Sequence, residues 1–137
     1  MIGIVLAIFL TGCSESGSVP TEQQKVLDPT QEAASEKQKA LDKERGIRAV
    51  LGASSILASA RNPDSVKFDS VIILADGTTC YAYRAQNGFG GMNREHAVLL
   101  LNGKNLSTSA ASWNAHCANK QGTDVTYNVA MLAGHVH

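Results

Sequence analysis

Polar and apolar residues are distributed unevenly along this chain. Residues 2–10, Ile-Gly-Ile-Val-Leu-Ala-Ile-Phe-Leu, are apolar without interruption. A helix that crosses a bilayer needs about 20 such residues, so this shorter run fits the apolar core of an export signal. Residues 14–45 reverse the pattern, with seven acidic and five basic side chains in 32 positions. Such a segment buries too little apolar surface to offset its ordering entropy, and it predicts a tether. Within it, Asp28-Pro29-Thr30-Gln31 has the form of a helix start. Asp28 can cap, Pro29 suits the first helical position, and Gln31 sits where a capping-box partner belongs. Good helix formers continue to Arg45, and Gly46 is the expected weak point.

Beyond Gly46 the apolar residues return at helical spacing. Ile47, Val50, Leu51, Ser54, Leu57 and Ala58 draw one stripe, which predicts the buried face of a helix. That helix should end at Asn62, because the residue before Pro63 is pushed out of the helical region. Residues 66–75 are rich in Val, Ile and Phe, and Asp76-Gly77 after them is a strong hairpin signal. Residues 78–85 form a second predicted strand, with Tyr81 and Tyr83 on one face and Cys80 and Ala82 on the other. A glycine-rich loop, 86–93, leads to a third strand at 94–101. Residues 107–120 predict a short helix carrying Trp113 and Cys117. Residues 124–132 alternate, with Val125, Tyr127, Val129 and Met131 on one side, which predicts a fourth strand.

The expected fold class is α+β: a small antiparallel sheet of three to four strands, one long N-terminal helix and one short helix. Three segments are expected: 1–12 as signal, 13–45 as a partly helical tether, and 46–137 as the domain. The length of 137 residues suits one domain, and a core drawn from its last two thirds is thin enough to profit from a staple.

Charge and motifs remove several function classes. The chain has 12 Lys+Arg and 12 Asp+Glu, so it lacks the net positive charge that drives binding to nucleic acid or anionic lipid. It contains no C-x-x-C, G-x-x-x-x-G-K-[ST], H-E-x-x-H or G-x-S-x-G. No nucleic-acid partner, metal or cofactor is expected.

Leu10-Thr11-Gly12-Cys13, placed directly after the apolar run, resembles the lipobox of bacterial lipoproteins. The resemblance implies diacylation of the Cys13 sulfur with palmitate-like chains, cleavage before Cys13, acylation of the new amine, and attachment to a membrane outside the cytoplasm. One feature departs from the pattern: no Lys or Arg precedes the apolar run. The competing reading is a buried N-terminal strand or helix that happens to end in Cys. Ser14 follows Cys13 where Asp would favour inner-membrane retention, so a Gram-negative host implies the outer membrane, facing the periplasm.

Of the three cysteines, Cys80 and Cys117 remain once Cys13 is assigned to lipid. Export places them where disulfides persist, and pairing predicts a Cα separation of about 4.4–6.8 Å. The face of Cys80 must then be covered by the helix carrying Trp113 and Cys117, with Tyr81 and Tyr83 on the opposite face. Two buried free thiols are a rival reading. A zinc site with His96 and His116 is another, opposed by the divergent directions of His116 and Cys117 on one helix.

The domain carries a second likeness. Asn62-Pro63-Asp64-Ser65-Val66-Lys67-Phe68, then Gly77, Cys80, Ala85-Gln86-Asn87-Gly88-Phe89-Gly90-Gly91, and finally Trp113 and Cys117, resemble a group of small uncharacterised exported proteins of bacteria and prophages. The likeness implies a small α+β domain with a disulfide and implies no activity.

Candidate chemistry concentrates in the loop. Asn87, Gly88, Phe89, Gly90, Gly91 and Met92 combine permissive backbone with two apolar side chains. Phe89 and Met92 either anchor a partner or, the reading favoured by sequence, Phe89 folds back on the core. Arg94, Glu95 and His96 form a charged cluster at a strand start, with Glu95 on the opposite face from the other two. Ser107, Ser109 and Ser112 near His116 read more readily as helix caps than as a nucleophile and its base. His135 and His137 could clip a metal, although a frayed terminus is the simpler account.

These observations predict a non-enzymatic, lipid-anchored envelope protein whose domain binds a partner, an envelope protein being the expected one. The alternative is a small enzyme or enzyme inhibitor acting on cell-wall material through residues 86–96. A concave site where the loop meets Arg94, Glu95 or His96 would favour the alternative.

Overall fold

The computed structural model describes residues 29–134. The lipobox, the Asp28 cap and the two terminal histidines lie outside the described residues. The protein is α+β, as its patterning implies. A long helix α1 (Pro29–Ser59) leads through a 3-10 turn (Pro63–Ser65) into strands β1 (Lys67–Ile73), β2 (Thr79–Gln86) and β3 (Met92–Leu99). Helix α2 (Ala110–His116), a two-residue strand β4 (Thr123–Asp124) and helix α3 (Thr126–Leu132) complete it. The sheet is antiparallel in the order β3-β2-β1-β4.

The sheet separates two apolar layers. On one face Val71, Ile73, Tyr81, Tyr83, Ala97 and Leu99 pack against Ala49, Ala53, Ile56 and Leu57 of α1 and Val129 of α3. On the other, Leu74, Cys80 and Val98 pack against Cys117, with Ile72 and Trp113 at the margin. Alternation along β2 therefore divides its side chains as the sequence implies. Tyr81 is completely buried, and its hydroxyl donates to the Ala49 carbonyl at 2.9 Å. Burial raises its pKa far above the ordinary phenol range, so it acts as a neutral donor.

That tyrosine also corrects the expected face of α1. The stripe through Ile47, Leu51, Ser54 and Ala58 lies exposed, and the buried residues are Ala49, Gly52, Ala53, Ile56 and Leu57. The Tyr81 ring and hydroxyl fill the space where a side chain at position 52 would stand. Close approach thus selects small residues for the inner face and leaves Ile47 and Leu51 outside. α1 also runs through Gly46 without a break, and it stops at Ser59, three residues before the expected end.

The second correction concerns residues 124–132. Only Thr123 and Asp124 pair as a strand, and residues 126–132 are helical. The Asp124 carboxylate accepts from the amide and hydroxyl of Thr126, which starts the helix and holds the Asp124 pKa below its usual value. The Thr126 hydroxyl oxygen accepts in turn from the Val71 amide at 2.8 Å. Helical spacing sends Val129 into the core and leaves Tyr127 and Met131 outside. The fold therefore has two short helices where the sequence predicted one.

Candidate functional site

Strands β2 and β3 pair along their whole length, from Thr79 with Leu99 to Gln86 with Met92. This ladder presents residues 87–91 at one end of the sheet. The Asn87 amide donates to the Gly91 carbonyl at 2.7 Å, and the Gly90 amide donates back to the Asn87 carbonyl at 3.2 Å. Gly90 takes φ +87°, the left-handed conformation that ends such a turn; Gly88 and Gly91 do not use that freedom. The Asn87 side chain secures the inside, its oxygen accepting from the amides of Phe89 and Gly91 at 3.0 and 2.9 Å. Its amide nitrogen donates to Asn93 at 3.1 Å, and the Gln86 side chain donates to the Gly90 carbonyl at 3.2 Å.

Phe89 stands at the tip of this turn with a relative exposure of 101%. The expectation that it folds back on the core is thus overturned. Hydrogen bonds inside the turn hold the Phe89 backbone at its tip, and no described residue covers the ring. Met92 is half exposed beside it.

Arg94, Glu95 and His96 border one shallow concavity near the start of β3. His96 lies on the α2 face, its ring 4.3 Å from that of Trp113. Arg84, opposite Arg94, is tied to Asp69 of β1 at 2.8 Å. A shallow cavity of about 190 Å³ lies over Ala82, with Asp69, Tyr83, Arg94, Glu95 and His96 around it. It is smaller than the roughly 300–1,000 Å³ of ordinary ligand clefts.

Cys80 and Cys117 form a disulfide with a Cα separation of 5.8 Å. The pair closes α2 onto the second face of β2, on the side the sequence assigned to it. Ser109 caps α2 by accepting from the Ser112 amide at 3.1 Å, so one of the three serines has the capping role expected of it. Among the described residues no group of three or more His, Cys, Asp or Glu is placed to hold a metal ion.

Sequence reasoning missed a wider concavity among the described residues. A groove of about 640 Å³ runs between α1 and α3, lined by Ile47, Val50, Leu51, Val129, Met131 and Leu132 among others. Its signal is present in Ile47 and Leu51, read as part of a buried stripe, and in Val129 and Met131, read as one side of a strand. Among the described residues no helix is long and apolar enough to cross a membrane. No family model matches the chain, and no curated protein or solved structure is detectably similar to it.

Proposed function

We propose that this is a lipid-anchored cell-envelope protein, held by an acylated Cys13, whose disulfide-stapled domain binds a partner protein through the turn 87–92. The observation that carries the binding role is Phe89, a bare aromatic ring on a turn stiffened by its own hydrogen bonds. An aromatic anchor of low conformational freedom is the usual centre of an interface hot spot. The lipobox-like Leu10-Thr11-Gly12-Cys13 supports the anchor, and the persistent disulfide suits a compartment outside the cytoplasm. In a Gram-negative host, Ser14 directs the reading to the outer membrane.

Two measurements test the two parts. Metabolic labelling with a palmitate analogue should mark the parent chain and spare Cys13→Ser; equal labelling rejects the anchor. Captured from solubilised envelopes, the parent chain should retain a partner that Phe89→Ala loses, and identical captures reject the turn as binding surface. The alternative, an enzyme or inhibitor working on cell-wall material, has only the shallow cavity over Ala82, which borders Arg94, Glu95 and His96 but not the loop 86–93. Its test is turnover, or inhibition of turnover, of purified peptidoglycan that Arg94→Ala removes.

A further inference from the structure

Strand β3 is an edge of the sheet, whose order is β3-β2-β1-β4. Successive residues of an antiparallel strand aim their backbone groups at alternate sides. Val98 exchanges both backbone bonds with Ser107, its amide donating at 2.8 Å and its carbonyl accepting at 2.9 Å. Val98 therefore faces away from β2, and so do His96, Arg94 and Met92 at steps of two. Ser109 then caps α2, and the chain leaves the edge. Among the described residues no backbone group pairs with the outward amides and carbonyls of Met92, Arg94 and His96.

Charge along this edge is one-sided. Register sets Lys67, Arg84 and Arg94 in one row across β1, β2 and β3. His96 lies on the same face, two residues along from Arg94. Like charges directly opposite one another destabilise a sheet. Asp69 answers Arg84 at 2.8 Å, and among the described residues Lys67 and Arg94 have no ionic partner. The row lacks an acid at the position beyond Arg94, where the sheet ends.

We propose that β3 accepts an extended acidic segment of a partner protein as a fifth, antiparallel strand along Met92 to His96. The proposal rests on the binding reading above and names the chemistry of that partner. Each of the three outward residues offers one amide and one carbonyl, and an acidic side chain opposite Arg94 completes the row. A second copy of β3 does not fit. The two-fold register that uses all three outward residues sets Arg94 against the second copy's Arg94. The next register sets Glu95 against the second copy's Glu95. Charges that bar self-pairing thus select an acidic strand.

The test uses the full chain in nonionic detergent and a capped probe peptide alternating Glu and Thr, about six residues long like an ordinary strand. The peptide should slow amide exchange at Met92, Arg94 and His96. A peptide alternating Lys and Thr should bind about tenfold more weakly, and Arg94→Glu should reverse the preference. Arg94 is exposed, and an unchanged circular dichroism spectrum checks the fold of that variant. The residue opposite Arg94 shares its face and aims its own amide at β3, so N-methylation of the Glu amides should abolish binding. N-methylation of the Thr amides should leave it intact. The probe carries nothing for an aromatic anchor to grip, so Phe89→Ala should bind it like the parent. Failure of the peptide with Phe89-dependent capture intact rejects the edge and leaves the turn. Unprotected amides, equal binding of the two peptides, equal effects of the two methylations, or loss of the peptide in Phe89→Ala each overturn the proposal.

Discussion

At the β1–β2 turn the Leu74 amide donates to the Thr78 carbonyl, and the Gly77 amide donates back to the Leu74 carbonyl. At the β2–β3 turn Asn87 with Gly91, and Gly90 with Asn87, repeat that arrangement. Both end on a left-handed glycine, at φ +83° and +87°. Their surroundings differ completely. The first turn is roofed: Arg45 of α1 donates to the Ala75 carbonyl, Leu101 presses on Gly77, and Thr78 is 3% exposed. The disulfide begins two residues further on, at Cys80. The second turn is bare, supported among the described residues by Asn87, Gln86, Asn93 and the neighbouring Arg61. One backbone device thus serves two ends. Where the turn is covered its residues hold the fold, and where it is bare its side chains are free to meet something else.

The largest break of this contrast should come from the staple beside the roofed turn. Cys80→Ala with Cys117→Ala reopens a loop spanning a separation of 37 residues. Loop-closure entropy puts the loss near 4 kcal/mol, with measured cases spread over about 2–5. Urea unfolding of the oxidised parent and the double variant reads it directly. A loss below about 1 kcal/mol would show that packing of α2 alone holds this face.

Gly77→Ala comes next. It combines left-handed strain with a Cβ placed 2.8 Å from a methyl of Leu101, for a total of about 2–4 kcal/mol. Gly90→Ala carries the same strain, but its nearest neighbour is the Gln86 amide at 3.8 Å, so about 1–2 kcal/mol is expected. Equal losses at the two glycines would mean that the roof over the first turn contributes nothing. Asn87→Ala should cost less again, about 0.5–1 kcal/mol, because the amides it releases are exposed and find water.

The same contrast explains what the sequence disclosed. Asp76-Gly77 marks its hairpin through local chemistry, Asp76 accepting from the Thr78 amide and Gly77 supplying the left-handed φ. Cysteine parity and strand alternation together place Cys80 and Cys117 on one side of β2. Local pattern fails where tertiary contact decides. Ile47 and Leu51 mimic an inward stripe, yet Tyr81 forces small residues inward and turns those two out. Residues 125–131 alternate like a strand, yet the Asp124 bonds to Thr126 start a helix there. For the candidate site, composition placed the loop at 86–93, and the structure narrows it to 87–91, with Gln86, Met92 and Asn93 paired in β2 and β3. The direction of Phe89 was not legible, because it depends on the Asn87 side chain bonding inside the turn instead of outside it.

The smallest stability effect and the largest functional one should coincide at Phe89. Its ring has no cover, so Phe89→Ala removes almost no buried surface and should shift unfolding by less than about 0.5 kcal/mol. A core phenylalanine would lose about 3–5 kcal/mol. The opposite pattern is expected on the roofed turn, where Leu101→Ala removes the side chain over Gly77 and should destabilise without touching partner capture. If Phe89→Ala lowers stability by several kcal/mol, the ring packs on the domain in solution and the bare turn is structural after all. If stability holds and capture is lost, the two turns divide as their surroundings imply, one keeping the sheet and the other presenting an aromatic anchor.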